Sequence, residues 1–154
     1  MTIHKTIQHG TLININGKGV LLLGPSAAGK SDLALRLIMP PSPFVSEKNS
    51  AHLVADDQVE IIGETAKHQK TLYGQAPKAL KGLLEVRHLG IKTFDYLEKS
   101  PIDFVIKLKK HYEIERLPDE GNEIEIIEGH VVPLFFLDPF EASVLNKLNL
   151  ILSN

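Results

Sequence analysis

The feature that most constrains this chain is the stretch GPSAAGKS at 24–31, with Gly24, four residues, then Gly29, Lys30 and Ser31. It follows the apolar run GVLLL and precedes DLALRLI. Glycines let backbone N–H groups turn onto phosphate oxygens, while the lysine reaches the outer phosphates and the hydroxyl holds Mg²⁺. The pattern therefore predicts a strand buried on both faces, a phosphate-binding loop and a helix, in that order.

The loop alone leaves a kinase, a hydrolysing switch and a nucleotide-fuelled machine open. We expect Lys30 to face solvent when no phosphate is bound. The chain has 154 residues, enough for one domain, and no cysteine, which excludes disulfides, zinc–thiolate sites and thiol catalysis. Its net charge of −2 offers no basic excess for nucleic acid. No apolar run approaches a membrane span, and the polar N-terminus lacks the core of a signal peptide, so we expect a cytoplasmic protein.

Along the chain, turn residues and apolar spacing predict the remaining elements. A helix should follow the loop and end at Pro40 and Pro41, because proline removes a donor and disfavours helix in the residue before it. The other predictions are strands at 2–8 and 11–15, a hairpin turn at 16–18, a loop at 40–50, a strand, an acid pair and a further strand within 51–62, a turn region at 63–78, and strands at 102–108 and 130–137. Pro133 favours an edge or a bulge for the last of these strands.

The C-terminal segment predicts a structural helix. Asp138 can cap it, Pro139 suits its first turn, and Glu141 stands where a capping box places a carboxylate. Its apolar stripe, which we expect to pack on the sheet or on another subunit, is Phe140, Val144, Leu145, Leu148, Ile151 and Leu152.

Two acidic patterns supply candidate chemistry. Asp56 and Asp57 follow a short apolar strand, where carboxylates can hold a metal or accept a proton, although a solvated turn explains an isolated pair equally well. Neighbours on a strand point to opposite sides, so these two aspartates should have different roles. Glu85 and Arg87 lie two apart on an apparent strand, hence on one face, and could form a surface ion pair.

Four blocks occur in one order: HGTLININGKGVLLLGPSAAGKS, LVADDQVEI, LLEVRHLGI and ERL. Together, from about Gln8 to Arg116, they resemble the catalytic domain of HPr kinase/phosphorylase, which acts on a serine of HPr, a small phosphocarrier of the sugar phosphotransferase system. The spacing of fifteen from His9 to Gly24 fits that family. The resemblance implies an α/β fold of the α+β type with a mixed sheet and a P-loop-containing core like that of phosphoenolpyruvate carboxykinase.

The resemblance also implies roles for individual residues. Asp57 would be the general base for the serine hydroxyl, and His9 and Lys30 would belong to the catalytic site. Arg116 would stabilise charge on the moving phosphoryl group. The metal ligands would be Ser31, Glu85 and Asp56, with Asp56 supporting either the metal or the base. The phosphates of ATP would be bound by Gly24, Pro25, Ser26, Ala27, Ala28, Gly29, Lys30 and Ser31.

We therefore expect residues 1–154 to form a single catalytic domain of an ATP- and Mg²⁺-dependent serine kinase. We expect it to lack the family's N-terminal domain, since it resembles the short forms of certain proteobacteria. The family resemblance implies HPr or a paralogous phosphocarrier as substrate, and a homo-oligomer, a hexamer in the family. A non-catalytic nucleotide-binding regulatory module and a small-molecule kinase on the same core remain alternatives.

Three departures from the family stand out. His88 occupies a position where the family has glycine, and extra residues lie between Ser31 and Asp57. The family's Gly-Arg-Asn stretch, tied to phosphate-driven dephosphorylation, has no counterpart in VPLFFLDPFEAS, which contains no arginine. This last departure argues against a second, phosphorylase activity.

Overall fold

The computed structural model describes residues 1–119 and 123–153, so 120–122 and 154 of the expected domain lie outside it. The strands are β1 Thr2–His9, β2 Thr11–Ile15, β3 Lys18–Leu23, β4 Ala51–Ala55, β5 Gln58–Ala66, β6 Gln69–Gln75, β7 Leu83–Val86, β8 Gly90–Thr93, β9 Ser100–Pro101, β10 Phe104–Leu108, β11 Ile124–Ile127 and β12 His130–Leu137. The α-helices are α1 Lys30–Ile38 and α2 Val144–Leu152.

A six-stranded mixed sheet forms the centre, in the order β11-β12-β10-β3-β2-β4. β10 runs parallel to both β12 and β3, while β2 is antiparallel to β3 and β4, and β11 to β12. A four-stranded antiparallel sheet, β1-β5-β6-β9, and the hairpin β7-β8 complete the strands. The fold is thus α+β with a mixed sheet, as the sequence predicts.

Strand β3 shows why its apolar run is continuous. Val20 and Leu22 belong to the core cluster that contains Leu33 and Leu37 of α1, and Leu21 belongs to the cluster shared with the four-stranded sheet. All five side chains are fully buried. Because successive side chains of a strand point to opposite faces, a sheet covered on both faces requires apolar residues at every position. This arrangement holds the end of β3, and so the loop that follows, in a fixed place.

The turn region predicted for 63–78 is wrong. β5 continues to Ala66, and β6 pairs with it from Gln69 to Gln75. Only Lys67 and His68 form the turn, both with positive φ, 48° and 66°. The sequence of β6, QKTLYGQ, is mostly polar because its side chains at 69–71 are exposed, and pairing with β5 rather than hydrophobic alternation makes it a strand.

Pro133 does not mark an edge strand, because β12 has β10 on one side and β11 on the other. The parallel pairing with β10 begins only at Leu134, opposite Val105. Pro133 lies one residue earlier, opposite Ile124 of β11. At Pro133, β12 is paired with β11 but not yet with β10. Proline, which has no N–H to donate, is therefore tolerated at this position although β12 is an inner strand.

The C-terminal helix is shorter than the sequence predicts. α2 begins at Val144 with Ser143 as its N-cap, so Asp138, Pro139 and Glu141 precede it and form no capping box. Asp138 instead accepts the N–H groups of Phe140 at 2.8 Å and His111 at 2.9 Å. Of the predicted stripe, the buried side chains are Val144, Leu148 and Ile151, the half-buried ones are Leu145 and Leu152, and Phe140 is exposed.

The predictions for the helix after the loop and for residues 40–50 are confirmed. α1 ends at Ile38 before the two prolines, and 40–50 contains no helix or strand. No helix among the described residues is long and apolar enough to cross a membrane.

Candidate active site

The loop of residues 24–29 joins β3 to α1, and Lys30 is the first residue of the helix. Ala27 and Gly29 both have positive φ, 66° and 103°. A Cβ on Gly29 would stand 2.8 Å from Cγ of Pro139, so glycine is required by space as well as by conformation. The segment after β12 thus packs directly on the loop and shapes it.

Lys30 is buried, contrary to the expectation that it faces solvent, with 7% of its surface exposed. Its ammonium donates to the carbonyl oxygens of Gly24 at 2.6 Å and Pro25 at 2.9 Å. Burial lowers the pKa of Lys30, and the charges of Asp56 and Asp57 partly oppose that shift. The side chain is folded back into its own loop, at the place where a phosphate would compete for it.

Asp56 is buried between two hydroxyl groups. Thr11 Oγ1 donates to its Oδ1 at 2.7 Å, and Ser31 Oγ donates to Oδ1 at 2.9 Å and to Oδ2 at 3.1 Å. The carboxylate therefore links β2 to the first turn of α1. Of the site residues predicted from sequence, Ser31 and Asp56 are in direct contact.

Asp57 does not continue a strand, because β4 ends at Ala55 and β5 starts at Gln58. The N–H of Gln58 donates to the Asp56 carbonyl at 2.8 Å, which closes a three-residue γ-turn around Asp57, whose φ is 70°. Such turns are rare and strained, and strained residues of this kind cluster at functional sites. The two aspartates thus differ in surroundings because of the bend, and not because they alternate on a strand.

The side chain of Asp57 is 65% exposed, and its Oδ1 lies 3.4 Å from Nδ1 of His9. The Asp57 carbonyl accepts the N–H of Gly10 at 3.1 Å. His9 ends β1, so the connection from β1 to β2 holds the bend that carries both aspartates. Asp57 can therefore exchange a proton with a group from outside while its backbone is fixed.

The hairpin β7-β8 adds a second wall. Glu85 lies in β7 and is exposed, whereas Arg87 lies just beyond the strand end, in the turn. His88 in that turn has φ 72°, a left-handed conformation that glycine adopts at lower cost. The family resemblance implies glycine at this position, which such a turn suits, and in this chain a histidine adopts the left-handed conformation.

A cavity of about 410 Å³ joins these elements. It brings together six of the seven residues predicted for catalysis or metal binding: His9, Lys30, Ser31, Asp56, Asp57 and Glu85. The rest of its lining comes from the loop, the first turns of α1, β7 and the segment after β12: Ser26, Ala27, Gly29, Asp32, Leu35, Val86, Arg87 and Phe140. Its volume lies within the range of small-molecule sites, about 300–1,000 Å³.

The donor set around the cavity suits a hard divalent cation. A hydroxyl, Ser31, and the carboxylates of Asp56 and Glu85 all line it, and Mg²⁺ prefers oxygen ligands of this kind. The loop and the ammonium of Lys30 suit the phosphates of a nucleotide. The residues present therefore fit both groups that the sequence predicts.

Arg116 stands apart from this arrangement. It is exposed, it follows a short 3₁₀ turn at His111–Glu113, and it does not line the cavity among the residues that the structure describes. Sequence reasoning assigned no site role to Thr11, Leu35 or Phe140. Phe140 was placed in the helix stripe, but its ring lies against the loop, and a Cβ on Gly29 would be 3.0 Å from its Cζ.

A second cavity, of about 470 Å³, lies between the start of β3, the loop at 43–49 and α2. Lys18 is the one charged residue that lines it in the described part of the chain, and its ammonium donates to the Leu152 carbonyl at 2.8 Å. Among the described residues its lining holds no carboxylate or histidine, and its one ammonium is bound to a backbone carbonyl. The chemistry is therefore assigned to the first cavity.

Comparison with known proteins agrees with the residues assembled here. The sequence model of the HPr Serine kinase C-terminal domain matches residues 2–136. An HPr kinase/phosphorylase of Caldicellulosiruptor bescii is 41% identical over 136 residues, which cover 82% of this chain and 40% of that protein. One from Limosilactobacillus reuteri is 34% identical over 135 residues, covering 81% and 38%. The chain belongs to the HPr serine kinase C-terminal domain family.

A solved structure shows the same fold. The Hpr(Ser) kinase/phosphatase from Coxiella burnetii matches with a TM-score of 0.74 at 24% identity, over 96% of this chain and 88% of that one. This likeness covers nearly all of the α+β arrangement described above. The chain spans about 40% of the length of the two sequence relatives, so what the longer proteins do as a whole comes to this chain only as a proposal.

Proposed function

We propose that this chain is the catalytic domain of a cytoplasmic ATP- and Mg²⁺-dependent kinase that phosphorylates a serine of HPr or of a paralogous phosphocarrier. The observation that carries the proposal is that the exposed carboxylate of Asp57 opens into the same cavity as Lys30 and Ser31 of the phosphate loop. A carboxylate that can accept a proton thus stands beside groups suited to a triphosphate. Family membership over residues 2–136 supports HPr as the acceptor.

In this proposal the loop binds the β- and γ-phosphates of ATP. The first N–H groups of α1 have no partners within the helix and face anions at its N-terminus. Lys30 exchanges the carbonyls of Gly24 and Pro25 for phosphate oxygens. A hydrogen bond from the ammonium to an anionic phosphate oxygen is stronger than one to a neutral carbonyl, so bound phosphate favours movement of the ammonium away from the two carbonyls.

Ser31, Asp56 and Glu85 would hold the Mg²⁺ ion, as hard oxygen donors on one cavity. Bound there, the ion would neutralise charge on the phosphate oxygens. Asp56 keeps its place by accepting the hydroxyl protons of Thr11 and Ser31. Four carboxylates line the cavity, Asp32, Asp56, Asp57 and Glu85, and they need such a cation beside a polyanionic nucleotide.

The transfer step then depends on Asp57. As the serine oxygen bonds to the γ-phosphorus and the bond to the leaving ADP oxygen breaks, Asp57 accepts the hydroxyl proton. His9, 3.4 Å from the Asp57 carboxylate, holds that side chain toward the incoming group. Because 65% of the Asp57 side chain is exposed, a serine on the surface of another protein can reach it.

The family resemblance also leads us to propose that residues 1–154 act as one domain within a homo-oligomer, a hexamer in the family. Arg116, outside the cavity, keeps its proposed role of stabilising charge on the phosphoryl group.

The test is phosphoryl transfer from ATP to purified HPr, read by intact mass so that one added phosphate is counted per acceptor. The matched controls are HPr with its acceptor serine changed to alanine and the Lys30→Ala variant of this chain. We expect transfer that requires Mg²⁺ and disappears in both controls.

A chain that binds ATP with Mg²⁺ but transfers nothing to HPr, at any protein concentration, would contradict the kinase and favour a nucleotide-binding regulatory module. Transfer that persists in the acceptor-serine control would show a different target group on HPr.

A further inference from the structure

We propose that Thr11 is a positioning residue for the metal site: its hydroxyl fixes the Asp56 carboxylate so that Ser31 presents its oxygen lone pairs to the cation. This inference rests on the proposed function and deepens it, because it assigns a residue of β2 to the binding of the metal–nucleotide complex. Thr11 does not line the cavity, so it acts through Asp56 and not by contact with a ligand.

The directions of the hydrogen bonds follow from the chemistry of the groups. An ionised carboxylate only accepts hydrogen bonds. Thr11 Oγ1 and Ser31 Oγ both lie within hydrogen-bonding distance of Asp56, so both hydroxyl groups donate to it. The single proton of Ser31 is therefore directed at Asp56, and both lone pairs of its oxygen are free for a cation.

Thr11 decides which carboxylate oxygen is engaged. Its bond to Oδ1, at 2.7 Å, is shorter than either contact made by Ser31. Among the described residues, Oδ1 accepts from both hydroxyl groups, whereas Oδ2 has only the longer contact with Ser31, 3.1 Å. Oδ2 thus keeps the greater accepting capacity, as a carboxylate oxygen that supports a metal or its bound water needs.

Thr11 is itself held rigidly. It is fully buried at the start of β2, where it pairs with Leu22 of β3. Gly10, just before it, lies so close to the sheet that a Cβ would stand 2.9 Å from the Leu22 carbonyl oxygen. The pairing of β2 with β4 shifts register after Leu12, next to the bend that carries Asp56. The hydroxyl therefore cannot leave Asp56 by a backbone movement of its own strand.

A packing role for Thr11 makes the opposite prediction from a hydrogen-bonding role. Thr11→Val keeps the shape and removes the donor, whereas Thr11→Ser keeps the donor and removes a methyl group. The measurement is the binding of Mn²⁺, used in place of Mg²⁺, in the presence of ADP. Binding is monitored as the loss of the free Mn²⁺ signal in electron paramagnetic resonance. ADP binding without metal is measured in parallel.

We expect Thr11→Val to raise the Mn²⁺ dissociation constant by about 10- to 100-fold, the usual cost of losing a residue that orients a metal ligand. Thr11→Ser should stay within roughly threefold of the wild type, since the donor is retained. Metal-free ADP affinity should be the same in all three proteins, because the loop and Lys30 supply it. The thermal midpoint of each protein checks that it is folded.

Equal Mn²⁺ affinity in wild type and Thr11→Val, or a weaker site in Thr11→Ser than in Thr11→Val, overturns the inference in favour of packing. If Thr11→Val does not fold, Thr11→Ser alone decides, because packing predicts a weakened site and hydrogen bonding a normal one. A wild-type protein that binds no Mn²⁺ with ADP overturns both the inference and the proposed function. A wild-type protein that binds both but does not phosphorylate HPr overturns the proposed function alone.

Discussion

Changing Asp57 and Asp56 separately to asparagine should separate proton transfer from metal and nucleotide binding. Asn keeps the size and polarity of Asp but removes the basic carboxylate. Asp57 is largely exposed and its side chain contacts only His9 among the titratable residues of the described structure, whereas Asp56 is buried and accepts two hydroxyl groups. The same chemical change therefore falls on two different environments.

For Asp57→Asn we expect transfer to HPr to slow by about 10²–10⁴-fold, the usual cost of losing a general base. In free energy of activation that is about 3–5.5 kcal/mol. An exposed substitution changes stability by less than about 0.5 kcal/mol, so the melting temperature should move by less than about 2 °C. ATP affinity, measured by calorimetry, should be unchanged, because the loop and Lys30 provide it.

For Asp56→Asn the loss is structural and electrostatic. Two hydrogen bonds to a charged acceptor, about 1.5–3 kcal/mol each, become bonds to a neutral amide, about 0.5–1.5 kcal/mol each. The difference is about 2 kcal/mol for the pair, or about 4–8 °C in melting temperature for a domain of this size. Asp56→Asn should also weaken Mg²⁺-dependent nucleotide binding, which Asp57→Asn should spare.

The two variants also define the result that refutes this assignment. If Asp57→Asn transfers phosphate at the normal rate while a folded, nucleotide-binding Asp56→Asn is inactive, the two roles are reversed. If both variants are fully active, neither carboxylate is the base, and the nucleotide-sensing module becomes the better interpretation.

Three further variants test the loop and its surroundings. Lys30→Met should abolish ATP binding in calorimetry but keep or raise the melting temperature at neutral pH. Burial holds the folded-state pKa of Lys30 below its ordinary value, so the wild type should gain stability relative to the variant as the pH rises toward the ordinary pKa. A variant less stable than the wild type at neutral pH would contradict this. Glu85→Gln should raise the Mg²⁺ concentration needed for half-maximal transfer, since an amide is a poorer ligand than a carboxylate. An unchanged Mg²⁺ titration would favour the alternative interpretation of Glu85 as a partner of Arg87 in a surface ion pair. Gly29→Ala should lower the free energy of unfolding in urea by at least about 1–2 kcal/mol, because an L-residue at φ 103° is strained and its Cβ would stand 2.8 Å from Pro139. A variant as stable as the wild type would show that the loop can shift.

Much of the fold follows from local pattern. Proline at 40 and 41 ends α1, and the apolar run in β3 requires a strand covered on both faces. What pattern could not supply are elements made by pairing with a neighbour. β6 is a polar sequence that becomes a strand because β5 lies beside it, and Pro133 fits an inner strand because pairing with β10 starts one residue later.

The sequence alone was enough to identify the phosphate loop and the order of the acidic blocks, because glycine, lysine and hydroxyl spacing in a strand–loop–helix unit is a local property. It also named His9, Asp57 and Glu85, through a family resemblance, without placing them in one cavity.

The assembled fold was needed to show that Lys30 is buried, that Asp56 and Asp57 differ because a γ-turn separates a buried carboxylate from an exposed one, and that Thr11 contacts Asp56 from outside the cavity. Thr11 contacts Asp56 across 45 positions of the chain, and the bend at Asp57 is held by the N–H of Gly10, from the distant connection between β1 and β2. Spacing along the sequence does not encode which side chain a fold will bury beside another, and that is why these features appear only once the sheets are assembled.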